Sequence, residues 1–121
     1  MLDFLPRFVL PDGTVVMPEQ VWTVYRTRND AWFVEWEEGD SPLATARRDR
    51  QTGMPDQNGK IIFERDILQA SDGRQFRVHQ SYNGLWLVIE IGREEGGSDP
   101  LYAYQDCAIT GFVPYKEDTD E

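Results

Sequence analysis

The chain has one cysteine and one histidine in 121 residues. A lone thiol, Cys107, excludes an intramolecular disulfide and any zinc site built from several cysteines, and it suits a reduced compartment. No apolar run approaches the ~20 residues that span a bilayer. The first ten residues lack a basic segment followed by an apolar core, so no signal peptide is expected. Basic residues are also scarce, with 12 Lys and Arg against 22 Asp and Glu, a net charge of −10 at pH 7 and a pI near 4.5. A protein that grips nucleic acid needs a cationic footprint on the phosphates, and here the overall sign is wrong. The glycines at 92, 96 and 97 have neither the Gly-Lys-Ser/Thr ending of a phosphate loop nor dinucleotide-binding spacing. These absences predict a cytoplasmic protein with no membrane, no cofactor and no direct nucleic-acid partner.

What is present is an ordinary globular composition, 40% hydrophobic and 28% charged. A chain of this length buries roughly two thirds of its unfolded surface, enough for a core without staples. Aromatics make up 12%, including four tryptophans, and fit sheet better than helix. Part of the charge is peripheral: 117–121 hold four acids and no base, so the rest of the chain stands near −6.

Turn signals divide the chain into short strands. Pro11-Asp12-Gly13 separates two apolar pieces at 8–10 and 14–17. Arg28-Asn29-Asp30 separates strands at 21–27 and 31–37. By alternation Trp22 and Val24 share one face of the first, and Trp32, Val34 and Trp36 one face of the second, so that five side chains would line an aromatic sheet face. Ser41-Pro42 reads as a helix start, with a serine cap and proline at the first helical position. Two helical turns would follow over 43–50, ending in Arg47-Arg48-Asp49-Arg50, where cations suit the negative helix end. A long turn is expected over 52–60. Strand pieces follow at 61–63, 66–70 and 75–81. The longest apolar stretch, 85–91, is expected as the central strand, then a mobile loop over 92–100. Strands at 101–104 and 108–113 close the fold. Many short strands with turns between them indicate a mainly β protein.

One stretch is specific enough to resemble a known family. Thr52-Gly53-Met54-Pro55-Asp56-Gln57-Asn58-Gly59-Lys60-Ile61-Ile62-Phe63-Glu64-Arg65-Asp66-Ile67 resembles the signature of the phage-encoded YopX proteins, in which a Thr-Gly pair, an Asp, an Asn-Gly-Lys turn and an Glu-Gly-Asp-Ile turn follow in that order. Ala108-Ile109-Thr110-Gly111 is similar to the closing strand of that family. The resemblance covers about residues 50–116. In this chain Arg65 stands where the family has glycine, so the turn there is expected to be less strained or differently shaped. His79 stands where members tend to carry tryptophan. The resemblance implies a phage or prophage origin, expression in a host bacterial cell, a β-barrel-like core and no assigned activity. The expected architecture is a small SH3-like or rolled β-barrel core over 51–116, with a β-hairpin subdomain and at most one short helix over 1–50, and an acidic tail at 117–121.

Candidate chemistry is thin. Glu64 and Asp66 lie two apart and could pair as metal ligands or as acid and base, but capping their own turn is the better reading. His79 would need Cys107, Ser71, Ser81 or another hydroxyl beside it, and a third residue to orient it, to act in nucleophilic catalysis. Cys107 has acidic neighbours, which oppose thiolate formation. The arginine cluster reads as a solvated helix end, and Trp22, Trp32 and Trp36 read as core, although exposed tryptophans would mark an interface. The favoured reading is a non-enzymatic protein-interaction module that binds a host or phage protein, self-association being left open. Its partner-binding candidates are the acids Glu37, Glu38, Asp40, Glu94, Glu95 and Asp99. An acidic inhibitor that blocks a nucleic-acid-binding surface is the narrower alternative, and an enzyme of unrecognised type the least favoured.

Overall fold

A computed structural model describes residues 5–115 as two compact units. Of the described residues, 5–50 with 114–115 make up one unit and 51–113 the other. The acidic tail expected at 117–121 lies outside the described residues.

In the first unit, β1 (Arg7–Val9) lies between β2 (Val15–Val16) and β6 (Arg47–Asp49), antiparallel to both. The β1–β2 turn is the expected one, with the Asp12 carboxylate accepting a hydrogen bond from the Thr14 amide at 2.9 Å. A second three-stranded sheet is the ribbon of β3 (Val21–Arg26), β4 (Trp32–Trp36) and β5 (Gly39–Pro42). Phe8, Leu10, Val16, Val21, Val34 and Trp36 form this unit's core.

The helix expected over 43–50 does not form. Ser41-Pro42 ends β5, only Leu43–Thr45 makes a single 3-10 turn, and 47–49 is strand. The reason is the burial alternation of Arg47, Arg48 and Asp49: inside, outside, inside, a period of two. Asp49 is fully buried and receives both arginines that flank it in the sheet. Arg7 Nη2 donates to Oδ2 at 2.6 Å, and Arg47 Nε and Nη2 donate to the two oxygens at 3.0 and 2.9 Å. The basic cluster is therefore half interior, with only Arg48 and Arg50 exposed.

In the second unit, β7 (Gln51–Pro55) pairs with β8 (Ile61–Phe63), and five strands form a sheet in the order β12-β11-β10-β9-β13. These are β9 (Asp66–Gln69), β10 (Gln75–Gln80), β11 (Trp86–Glu90), β12 (Ser98–Pro100) and β13 (Ala108–Phe112). The core is Ile62, Leu68, Phe76, Val78, Val88, Leu101 and Cys107.

The protein is mainly β, and no helical segment with described bounds exceeds four residues. The sheets do not close into a barrel: β12 and β13 stand at opposite ends of an open ladder. Four local expectations also change. The turn expected over 52–60 is a strand followed by a shorter turn. Residues 92–100 hold a 3-10 turn and β12, while 101–104 is 3-10 rather than strand. The apolar run at β11 lies second from the edge, and β10 is the middle strand.

Candidate functional site

The signature stretch resolves into turn chemistry. Asp56, buried at the head of the Asn-Gly turn, accepts from the amides of Asn58 and Lys60 through Oδ1, and from that of Ile109 on β13 through Oδ2, at 2.9 to 3.0 Å. Burial opposes its charge. The three amides, aided by the Lys60 ammonium, outweigh that and hold its pKa below the ordinary aspartate value. Gly59 occupies φ +80°, the left-handed conformation that this turn requires. The Thr52 hydroxyl donates to the Ile62 carbonyl at 2.8 Å across β7 and β8.

Glu64 lies in the turn between β8 and β9 and Asp66 is the first residue of β9, so the two are not side by side on one strand. Asp66 Oδ2 accepts from the Phe63 amide at 2.7 Å, the capping role expected for it, and Glu64 pairs with Arg65 at 3.5 Å. No group of three or more His, Cys, Asp or Glu side chains able to hold a metal ion occurs among the described residues. Of the two alternatives expected for the turn at Arg65, less strained or differently shaped, the first does not hold: Arg65 sits at φ +69°. Its amide donates to the Val78 carbonyl and its own carbonyl accepts from Val113, both at 2.9 Å, so the surrounding ladder imposes the conformation.

Of the thiol and hydroxyl partners considered for His79, the structure shows one not named in advance, Ser98. Cys107 lines an open depression of about 380 Å³ with Arg74, Asp99, Tyr104 and Asp106. Burial, and then the Asp106 carboxylate, push its pKa up, away from a thiolate. His79 is on β10 and contacts the Ser98 hydroxyl on β12 at 3.0 Å, a partner the sequence does not advertise. Burial, and then Arg77, lower the imidazole pKa. A cation therefore neighbours the ring, where a catalytic triad needs a carboxylate.

The six candidate acids fall in different units. In the second, Glu94 accepts from the Gly92 amide at 3.0 Å and Asp99 accepts from the Tyr104 hydroxyl, while Glu95 is exposed in the same 3-10 turn as Glu94. In the first, Glu37 and Glu38 are the exposed turn between β4 and β5, and Asp40 is the second residue of β5. The side chains of Glu35, Glu37 and Glu38 make no ion pair with the described residues.

The same ribbon carries the most exposed aromatics of the first unit. The expected five-residue aromatic face is broken by a β-bulge between Val21 and Thr23. Val21, Val24, Val34 and Trp36 turn inward, whereas Trp22 is 64% exposed and Trp32, beside the β3–β4 turn, 50%. The Arg26 guanidinium lies 5.9 Å from the Trp32 ring. On the opposite face Tyr25 and Phe33 are cross-strand neighbours and stack at 5.5 Å between centroids, 9° from parallel. The Tyr25 hydroxyl donates to Asp40 Oδ2 at 2.8 Å, which raises the phenol pKa. This pair was not anticipated. The spacing of the Arg28-Asn29-Asp30 turn sets the register that opposes Tyr25 to Phe33, but only the bulge reveals that Trp22 leaves the buried face.

The chain matches a family model described as YopX protein over residues 18–113, so the likeness reaches back well before residue 50. No curated protein and no solved structure matches it.

Proposed function

The chain belongs to the YopX family, and we propose that it acts as a small phage or prophage accessory protein that binds another protein and catalyses nothing. The single observation that carries this is the exposure of Trp22 and Trp32 on one three-stranded ribbon. Leaving two indoles in water forgoes burial worth about 1.5–3 kcal/mol for a large apolar side chain. Tryptophan is also the residue type most enriched at binding hot spots. Nothing about the fold of this sheet asks for either ring: Val21, Val34 and Trp36 already supply its buried side. The absence of an oriented carboxylate at His79 and the raised thiol pKa of Cys107 weigh against nucleophilic catalysis.

Mimicry of nucleic acid is the weaker reading, because Glu94 and Asp99 are engaged by their own unit. The partner in this proposal is a host or phage protein in the host cytoplasm, and neither a membrane nor direct nucleic-acid contact is required.

The test is site-specific photo-crosslinking in the host cell. A benzophenone amino acid replaces Trp22, Trp32 or, as control, Asp72 in an exposed turn of the other unit. The expected result is a discrete covalent adduct with one partner from positions 22 and 32 and none from 72. Equal, diffuse labelling from all three positions, or none from any, would overturn the proposal.

A further inference from the structure

The outward face of the β3-β4-β5 ribbon is an ordered grid. Register places Thr23, Glu35 and Asp40 in one row across the three strands, and Tyr25, Phe33 and Pro42 in the next. One row is therefore acidic and the other apolar and aromatic. Residues two apart on a strand are about 6.6–6.8 Å apart, so the two rows are one side-chain step from each other. Tyr25 ties the rows together through its hydrogen bond to Asp40. The neighbouring turn adds Glu37 and Glu38 at the acidic end, and no Lys or Arg occurs between residues 33 and 46. The carboxylates of Glu35, Glu37 and Glu38 have no cation of the described residues to meet.

We propose that this face docks an extended, cationic segment of a partner protein, with an Arg or Lys over Glu35 and Asp40 and an apolar side chain two residues away over the Tyr25–Phe33 stack. The inference rests on the interaction reading above and deepens it by naming the partner's chemistry. An extended segment suits the grid because its own side chains repeat at the same spacing on one face. A cation suits the first row because Glu35 makes no ion pair with the described residues and Asp40 is met only by the neutral Tyr25 hydroxyl, and an apolar side chain suits the second because that row is the Tyr25–Phe33 stack with Pro42. A helix would present residues at 3.6 per turn and meet the two rows less regularly.

The probe is a capped peptide of sequence Arg-Thr-Leu-Thr-Arg-Thr-Leu-Thr, compared with versions carrying Gln or Glu in place of Arg. Binding is followed by amide chemical shifts of the labelled full chain. The expected result is saturable perturbation at Tyr25, Phe33, Glu35 and Asp40 by the Arg peptide. It should weaken severalfold when salt rises from about 50 to 300 mM, as exposed charge contacts are screened. The triple variant E35K/E37K/E38K, changed only at ribbon-face and turn carboxylates, should bind the Arg peptide at least tenfold more weakly and the Glu peptide more tightly. Perturbation centred on Glu94 to Asp99, equal binding of the Gln peptide, an unchanged triple variant, or no saturable binding of any peptide would each overturn the proposal. Crosslinking from positions 22 and 32 would survive those outcomes, so failure of the cationic-segment inference is separable from failure of the interaction reading.

Discussion

Two residues of the signature stretch show how strongly single side chains shape this fold. Arg65 occupies the left-handed region at φ +69°, where a Cβ costs about 1–2 kcal/mol and glycine costs little. Replacing it by Ala or by Gly removes the same guanidinium, so the pair isolates the backbone contribution. R65G is expected to be more stable than R65A by about 1 kcal/mol in urea titration, and equal stability would show the turn to be relaxed. Asp56 holds three backbone amides from within the unit. D56A leaves them without that acceptor and should destabilise by about 3 kcal/mol, given the cost of unsatisfied buried groups. The sign of its pH effect follows from its depressed pKa. Its contribution is present above the unfolded aspartate value near 3.9 and is lost as pH falls through the folded value. Between about pH 5 and 2 the wild type should therefore lose more stability than D56N, read as the difference between their midpoints at each pH.

At the scale of elements, β6 shows most plainly where local signals lose to burial. Ser41-Pro42 and the arginines that follow satisfy the rules for a short helix, yet a helix of two turns is not self-sustaining and depends on packing. As strand, the segment aligns Asp49 with Arg7 on β1 and with Arg47 on the same face. Buried ions tolerate no missing partner. D49A, which removes the carboxylate shared by two buried guanidinium groups, should cost about 3–5 kcal/mol, whereas R48A at the exposed position between Arg47 and Asp49 should change stability by less than about 0.5 kcal/mol. Comparable losses in the two variants would contradict the strand assignment. The ribbon illustrates a different failure of local reading. Alternation correctly placed Val24, Val34 and Trp36, but a single bulge residue resets the period, and Trp22 leaves the buried set.

At the scale of the whole molecule, net charge governs solution behaviour more than fold. With 22 acids against 12 bases, the chain should be least soluble near pH 4.5, and a solubility minimum above pH 6 would contradict this. Each unit carries its own hydrophobic cluster, one centred on Phe8, Val34 and Trp36 and the other on Leu68, Phe76 and Val88.

From its sequence alone the protein was legible as mainly β, with its hairpin turns at 11–13 and 28–30. These follow from backbone preferences of Pro, Gly, Asn and Asp that act over two or three residues. The capping role of Asp66 and the inert surroundings of Cys107 were legible for the same reason, since their neighbours in sequence are their neighbours in space. Only the tertiary structure decided that 47–49 is a strand, that β12 lies within the expected loop, that the sheets stay open, and that Arg65 bears the left-handed turn. It alone also placed Tyr25 against Phe33 beside the row of Glu35 and Asp40 and left Trp22 and Trp32 exposed. Such outcomes depend on strand pairing, register and bulges, and these are settled by burial between residues far apart in the chain.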